Sequence, residues 1–490
     1  MSSCVAPPLA AALLLLAGCT LGPNWRPPEM PLPDTWSASQ ADATDDADAD
    51  QAWWQRFDDA MLTQLVERAL ITNRDLERAE AVIAEARALR TQAAASFYPQ
   101  VNAGASVTRR RQTSSGSAGN FGGIDFGSGG DRSSINTFYE GGFDASWELD
   151  VFGKTRRSVE AADAGLAAET DAANGVRLTL IGDVARAYVD ARGLQRRIAV
   201  TEATIAAQRD TADLTRARFR AGTGNGLDAV RAEAQLAQFE AALPPLQATF
   251  ATDVHRLGVL TGQDPGALAD VLAPPAPIPV ADELPAPGVP ADLLRRRPDI
   301  REAERRLAQS TAEIGVAVAE RYPTFSLPGT ISLTNTKLID LIRKASLIWS
   351  IGPEVSVPLF DAGFRRAEVE LRFAQQAQAR AAWEQTVLVA LEEVENALSD
   401  WRQEAERRRT LVAAVAGNAD ALALATELYT RGLASFLDVL DAQRALFQTQ
   451  SDLAASEAAL STDLVALYKA LGGGWAAGPA FADGGAVPLP

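Results

Sequence analysis

Cysteine and histidine are almost missing from this 490-residue chain, which has two cysteines and one histidine. Cys4 and Cys19 both lie near the N-terminus, so the rest of the sequence offers no disulfide, thiol nucleophile or thiolate metal site. His255 is the only imidazole, and its helical surroundings favour a structural or surface role over catalysis. We therefore expect no enzymatic activity, no metal site and no cofactor.

Positive charge is also in short supply. The chain has 46 Lys and Arg residues against 63 Asp and Glu residues, a net charge of −17. This balance disfavours nucleic acid as a partner and disfavours binding to anionic membranes through a basic patch. A hydrophobic fraction of 47% and a charged fraction of 22% exclude wholesale disorder.

The apolar run at the N-terminus, Val5–Leu16, is too short to cross a bilayer as a helix. The tetrapeptide Leu16-Ala17-Gly18-Cys19 resembles a bacterial lipobox, which predicts a signal peptide over residues 1–18 and a covalent lipid on Cys19. An ordinary secretory signal is the alternative, because Met1–Cys4 contains no Lys or Arg. Thr20 replaces the aspartate that tends to retain lipoproteins in the inner membrane, which is compatible with outer-membrane delivery.

Proline is missing between Pro99 and Pro244, and this interval predicts very long helices. Arg156–Arg218 could form one helix about 95 Å long. A coiled-coil-like seam recurs at spacings of three and four in this stretch: Ile181, Val184, Tyr188, Ala191, Leu194, Ile198, Thr201 and Ile205. Arg365–Leu398 and Glu404–Leu428 are also predicted to be long helices. Pro244-Pro245 should break or kink the helix that follows the first turn.

The sequence contains an internal repeat. Matching landmarks are Tyr98-Pro99 with Tyr322-Pro323, Arg156-Arg157 with Arg365-Arg366, and Asp228 with Asp438, at offsets of 224, 209 and 210. The first copy carries an insertion at Arg109–Asn136, which we expect to be a loop. The expected domains are a tether (19–52), a first repeat (53–263), a proline-rich linker (264–298), a second repeat (299–473) and a C-terminal tail (474–490).

Four stretches alternate apolar and polar residues with the period of a strand: Tyr98–Thr108, Phe138–Leu149, Thr324–Leu333 and Leu347–Leu359. Each has about the 9–11 residues that a tilted strand needs to cross a bilayer. A soluble antiparallel sheet is the alternative. If the strands span the membrane, four are too few to close a barrel, so several copies must share one, and a pore favours at least three chains.

Two glycine-containing turns join long helices in corresponding places. The residues of interest are Gly222, Gly224, Gly226, Leu227 and Asp228 in the first turn, and Tyr429, Arg431, Gly432, Leu433, Ser435, Phe436, Asp438 and Asp441 in the second. Asp228 and Asp438 can cap the outgoing helices. Asp441 lies one helical turn beyond Asp438, so under rotational symmetry both would form stacked acidic rings. Such rings would repel anions and could bind a divalent cation.

Several motifs in combination resemble a TolC-like outer membrane factor, in the efflux lipoprotein branch of the NodT/OprM type. They are Gly22-Pro23-Asn24-Trp25, Trp53-Trp54-Gln55-Arg56-Phe57, Trp147-Glu148-Leu149-Asp150-Val151-Phe152-Gly153, Arg297-Pro298-Asp299-Ile300, Ile314-Gly315-Val316-Ala317 and Leu437-Asp438-Val439-Leu440-Asp441-Ala442-Gln443. With the lipobox, they are spread along the sequence, so the resemblance covers nearly the whole chain.

The resemblance implies an α+β membrane protein: a homotrimer whose twelve strands form one Gram-negative outer-membrane β-barrel, continued by a periplasmic α-helical barrel. It implies a passive exit duct for drugs or other small molecules, docked through the turns to a periplasmic adaptor protein and an inner-membrane pump of the RND type. In the family, residues matching Asp438 and Asp441 narrow the periplasmic mouth, and residues matching Asp228 and Tyr429 join the network that closes it. At the position of one arginine of the TolC network, this sequence has Ala434. A duct for type I protein secretion and a non-conducting, lipid-anchored coiled-coil scaffold are the alternatives.

Overall fold

The computed structural model describes residues 20–37, 52–114, 132–280 and 290–475, so the predicted signal peptide and Cys19 lie outside the described residues. The helices are α1 (Ala60–Thr72), α2 (Arg74–Ala95), α3 (Lys154–Arg220), α4 (Gly226–Leu260), α5 (Ala269–Leu272), α6 (Leu293–Arg296), α7 (Pro298–Ala319), α8 (Phe364–Thr430) and α9 (Phe436–Ala470). The strands are β1 (Gln100–Ser114), β2 (Arg132–Ser146), β3 (Glu148–Leu149), β4 (Thr324–Ser326), β5 (Gly329–Asn335), β6 (Leu347–Ile351) and β7 (Glu354–Ser356).

The helices confirm the internal repeat. The pair α2 and α7 have 22 residues each, α3 and α8 have 67 each, and α4 and α9 have 35 each. Their starting positions differ by 298 − 74 = 224, 364 − 154 = 210 and 436 − 226 = 210 residues. The predicted long helix over Arg156–Arg218 is continuous, and the two predicted stretches of the second copy are parts of the single helix α8.

The expected break at Pro244-Pro245 is wrong, because α4 continues through both prolines. Each proline removes one backbone hydrogen bond, which frees the carbonyl groups of Glu240 and Ala241. Both of these residues are exposed, as are the prolines, so water can satisfy the freed carbonyl groups. Hydration of an exposed face therefore lets the helix continue.

The main sheet has four antiparallel strands in the order β1-β2-β5-β6. The pairing aligns the predicted faces in rows across the sheet. Asn102, Asp144, Thr330 and Ser350 form a polar row, and Ala103, Phe143, Ile331 and Trp349 form the neighbouring apolar row. Asn102 donates a hydrogen bond to Asp144 at 3.0 Å, and the Thr330 and Ser350 hydroxyls are 2.8 Å apart. The predicted alternation is confirmed because both faces remain in register over all four strands.

Strand boundaries differ from the prediction in two ways. The first hairpin reaches Ser114 and resumes at Arg132, so part of the insertion expected as a loop is strand. In the second copy, each predicted span is divided, at Pro328 and at Gly352-Pro353, because proline cannot donate to the strand ladder. The separated ends, with β3, form a three-stranded sheet in the order β3-β4-β7.

The described chain divides into two compact units, and each draws on both copies of the repeat. One contains the strands, with Ala86–Leu166, Arg306–Arg380 and the N-terminal segment through Pro27; the other contains most of the helices. The core of the helical unit includes Trp53, whose ring stacks on Tyr468 at a centroid distance of 5.0 Å. The domain boundaries expected from the sequence stay predictions.

The N-terminal segment is packed, which contradicts the expectation of a free tether over its first part. Leu21 donates its backbone N–H to the Phe152 carbonyl at 3.3 Å, within the strand-containing unit. Trp36 is 4% exposed and lies in the core of the helical unit. Apolar burial and backbone pairing outweigh the proline-rich composition that suggested a tether.

Candidate functional site

The first turn connects α3, which ends at Arg220, to α4. Gly222 has φ 74°, a left-handed conformation that favours glycine. Gly222 donates its N–H to the Phe219 carbonyl and Thr223 donates to the Arg218 carbonyl, each at 3.0 Å. These bonds satisfy the last carbonyl groups of α3 and reverse the chain.

The second turn repeats this geometry between α8 and α9. Gly432 has φ 77°, and its N–H bonds to the Tyr429 carbonyl at 3.0 Å. Leu433 donates to the Leu428 carbonyl at 2.9 Å. Arg431, the first residue after α8, forms an ion pair with Glu427 of that helix. The predicted backbone role of glycine is thus confirmed at Gly222 and Gly432.

The other two glycines of the first turn allow close contacts. A Cβ on Gly224 would lie 3.0 Å from the Arg218 Cβ, and a Cβ on Gly226 would lie 3.0 Å from the Phe219 ring. In the second copy Phe436 occupies the position of Gly226, and its ring packs against Tyr429 with centroids 5.4 Å apart. Both turns therefore carry an aromatic ring at the end of the incoming helix, Phe219 and Tyr429, and only the second turn adds a further ring opposite it, that of Phe436.

Helix capping differs between the turns. Asn225, not Asp228, caps α4 by accepting the Leu227 N–H at 3.0 Å, so the expectation that Asp228 caps the helix is wrong. Asp228 stands three residues beyond the cap, and within the described residues its carboxylate has no hydrogen-bond partner. A residue in this position cannot cap unless it reaches back to the cap residue.

Asp438 does reach back, in a capping box with Ser435. Its carboxylate accepts the Ser435 N–H and the Ser435 hydroxyl, each at 2.8 Å, and its own N–H donates to that hydroxyl at 3.4 Å. The side-chain bond from Ser435, followed by the backbone bond, lowers the pKa of Asp438 below its ordinary value of 3.8. Asp438 is therefore a charged capping residue at an exposed helix start, as the capping interpretation predicted.

Asp441 connects to the other copy of the repeat. Its carboxylate lies 3.7 Å from the Arg444 guanidinium on the next turn of α9. Arg444 in turn donates a hydrogen bond to the side-chain oxygen of Gln235 on α4, a residue that is 3% exposed. Asp441 thus lies beside an arginine that joins α9 to α4.

Tyr429 lies in a small apolar cluster that joins both hairpins. The buried members are Ala212 of α3, Ala232 of α4, and Phe436, Val439 and Leu440 of α9. The guanidinium carbon of Arg218 lies 5.5 Å from the centre of the Tyr429 ring. At this distance a cation–π attraction links the end of α3 to the end of α8.

Sequence reasoning missed Arg218, Gln235 and Arg444 as members of this site. Each bonds to a residue roughly 200 positions away, and a local pattern carries no signal for such a partner. Ala434, at the position of the TolC arginine, has no polar side chain that could contact the neighbouring helices. In this chain the arginine that contacts Tyr429 is Arg218. The turns also expose Leu227, Leu433 and Leu437, by 51%, 72% and 42%. Across the part of the chain that the structure describes, no group of three or more potential ligands could hold a metal ion.

A profile of the family described as "Outer membrane efflux protein" matches residues 65–263 and 289–473. The chain belongs to this family. It is 36% identical over 462 residues to Nodulation protein T of Rhizobium leguminosarum bv. trifolii, covering 94% of this chain and 96% of the relative. It is 32% identical over 477 residues to the antibiotic efflux pump outer membrane protein ArpC of Pseudomonas putida, covering 95% of each.

Among solved structures, the outer-membrane channel OprN matches this outer membrane efflux protein with a TM-score of 0.84 and 37% identity. The match covers 93% of this chain and 100% of that chain. The predicted family, the NodT/OprM type, the α+β channel fold and the outer-membrane location are therefore confirmed. The chain is an efflux channel protein of the Gram-negative outer membrane that extends into the periplasm.

Proposed function

We propose that three copies of this chain form one duct, with a shared twelve-stranded barrel in the outer membrane. The open four-stranded sheet carries this proposal. Within the described residues β1 and β6 pair on one side only, and unpaired strand edges are not tolerated in hydrocarbon. The apolar row exposes Trp349, Phe143 and Ile331 by 69%, 59% and 49%, as expected for a surface facing lipid.

The helical part also favours assembly. Helix α8 contains an apolar stretch, long enough to cross a membrane, whose residues are not buried within the protomer. Val412 and Leu424 on this helix are 47% and 57% exposed. Apolar surface that stays exposed in a single protomer fits contact with a further copy of the chain. A detergent-purified protein that migrates only as a monomer and conducts no ions would contradict the proposal.

The duct conducts drugs or other small molecules passively, because energy enters at an inner-membrane pump that reaches it through a periplasmic adaptor. The exposed leucines Leu227, Leu433 and Leu437 fit a docking surface for the adaptor at both turns. The name of the relative ArpC, an antibiotic efflux pump protein, supports this substrate class. Deletion of the gene should raise drug susceptibility and leave protein secretion unchanged; the opposite result would favour a secretion duct.

A covalent lipid on Cys19 anchors each subunit. The lipobox Leu16-Ala17-Gly18-Cys19 supports this part of the proposal. Mass spectrometry of the N-terminal peptide tests it directly. An unmodified Cys19, or cleavage at another position, would contradict the anchor without affecting the duct.

The mouth is closed by Asp228, Tyr429, Asp438 and Asp441. Their roles differ: Asp438 holds the helix start, Asp441 lies beside Arg444, which reaches the other hairpin, and Tyr429 receives Arg218. In planar bilayers an Asp438→Ala/Asp441→Ala variant should conduct more and be blocked less by divalent cations. Asp420→Ala, an exposed carboxylate on α8, is the matched control. Unchanged conductance and unchanged block would contradict this gate.

A further inference from the structure

Three sequence motifs that lie far apart in the chain meet in the strand-containing unit. They are the segment around Gly22 and Asn24, Arg157 near the start of α3, and Gly315 in α7. The efflux function described above uses none of them. We name Thr20–Asn24 the N-terminal strap, because it lies across α3 and α7.

Arg157 holds the strap by hydrogen bonds. Its Nε donates to the Leu21 carbonyl at 3.0 Å, and its Nη2 donates to Asn24 Oδ1 at 2.7 Å and to the Gly22 carbonyl at 3.3 Å. Nη1 pairs with Glu160 at 2.7 Å. The guanidinium is buried, with a side-chain exposure of 3%, so removing it would leave several strap acceptors without a donor.

The strap crosses α7 with backbone against backbone. A Cβ on Gly22 would lie 2.5 Å from the Gly315 Cα, and a Cβ on Gly315 would lie 2.7 Å from the Arg157 Cγ. Gly22 also has φ 88°, a conformation that side chains disfavour. Both glycines are thus required for the strap to reach Arg157.

The strap begins where the strands end. Leu21 bonds to the Phe152 carbonyl, and a Cβ on Gly153 would lie 2.9 Å from the Thr20 Cα. The Phe152 ring packs against Tyr322 and Phe325, with centroids 5.1 and 6.3 Å apart. An aromatic group at the base of membrane strands is typical of the interface between lipid and water.

We propose that Arg157 is a positioning residue that fixes the lipid anchor at this junction of strand and helix. The proposal rests on acylation of Cys19. Consecutive Cα atoms are about 3.8 Å apart, so Cys19 must lie one peptide from a strap that is bound to the fold. A lipid on Cys19 is therefore separated from the strap, and so from the base of the subunit's own strands, by one peptide bond only. A free tether would retain the chain at the membrane, whereas a fixed anchor also holds the base of the strands at the correct depth during assembly.

Two variants test this. Arg157→Gln releases the strap, whereas four Gly-Ser residues inserted between Thr20 and Leu21 keep the acceptors of Arg157 on Leu21, Gly22 and Asn24 but lengthen the chain between them and Cys19. We expect both proteins to stay acylated and membrane-bound, with a several-fold smaller fraction in the heat-sensitive oligomer. Hydrogen exchange of the Leu21 amide should be at least tenfold faster in Arg157→Gln only. The combined variant should be no worse than the worse single variant, because both remove the same fixed link.

Two control variants distinguish an effect on the position of the lipid anchor from a general loss of stability. Arg90→Gln breaks an ion pair of 2.8 Å with Asp163 in the same unit, and the same insertion within residues 38–51 lengthens the chain after the strap. Both should assemble normally. If Arg157→Gln impairs assembly and the insertion after Thr20 does not, Arg157 is merely structural and the proposal is overturned. An unacylated parent protein would refute the anchor itself, whereas an acylated protein that tolerates the insertion would refute this inference alone.

Discussion

Arg218 and Tyr429 belong to different copies of the repeat, yet the guanidinium carbon of Arg218 lies 5.5 Å from the centre of the Tyr429 ring. The same ring also packs against Phe436 at the start of α9, with centroids 5.4 Å apart. A single aromatic residue therefore connects the ends of α3 and α8 to the beginning of α9. Any movement that separates the two hairpins at their turns must break this contact.

Loss of the Arg218 contact should favour the open mouth. In Arg218→Gln the cation–π attraction is gone, which is worth about 0.5–1 kcal/mol at an exposed site, or a factor of roughly 2–5 in the ratio of closed to open channels. Single-channel recording measures the open probability. Arg220→Gln removes the same charge from the same helix end and should have little effect. Equal responses from the two variants would show that net charge, not ring contact, closes the mouth.

The link between Arg444 and Gln235 should couple the hairpins energetically. Arg444→Ala leaves the buried Gln235 oxygen without its donor, at a cost of about 1–3 kcal/mol. A double-mutant cycle with Gln235→Leu should give a coupling energy of about 1 kcal/mol in chemical unfolding of the detergent-solubilised protein. Arg431→Ala, which breaks an exposed pair between the second turn and Glu427 of α8, should change stability little. Additive single effects would argue against the link.

The capping box makes the start of α9 sensitive to acid. The pKa of Asp438 is lowered by its bonds from Ser435, so the stabilisation is present above the ordinary value of 3.8 and is lost as pH falls through the lowered pKa. Hydrogen exchange at the Ser435 amide should therefore accelerate in this acidic range. Asp438→Asn should exchange fast at all pH values. Asp228 is the equivalent residue of α4, where Asn225 is the cap. Asp228→Asn should therefore leave hydrogen exchange at the first turn unchanged.

Asp463 on α9 should make the helical unit more stable in mild acid. Burial, together with the charges of Asp400 and Glu404, raises the pKa of Asp463 from 3.8 to about 6, while Arg186 opposes the shift. The folded state thus favours the protonated carboxyl, and stability falls as pH rises from about 4 through 6. Asp463→Asn should restore about 1–3 kcal/mol at pH 7 and little at pH 4.

Thermal unfolding at several pH values, followed by circular dichroism, measures this effect. Asp452→Asn, on the same helix and hydrogen-bonded to Gln448, is the control. Asp253 carries a similar shift to about 6, caused by burial and by Asp190, so a residual pH dependence should persist in Asp463→Asn. A flat profile for the parent protein would contradict the prediction.

Much of the fold follows from local patterns. The alternation in Thr324–Leu333 predicts which residues share a face, because side chains in a strand alternate strictly, and the observed rows agree. The glycines at 222 and 432 predict the two turns, because the left-handed backbone there favours glycine. Pro244 misled the prediction, since whether a proline ends a helix depends on whether water reaches the freed carbonyl groups.

The amino-acid sequence by itself determined the repeat, the long helices, the four strands and the positions of the turns, because periodicity and backbone preference act over a few neighbouring residues. Only the tertiary structure decided that Arg157 binds the strap and that Arg444 reaches Gln235. A buried polar group must find its partner wherever the folded chain brings one within about 3 Å, and that partner carries no mark in the sequence around it.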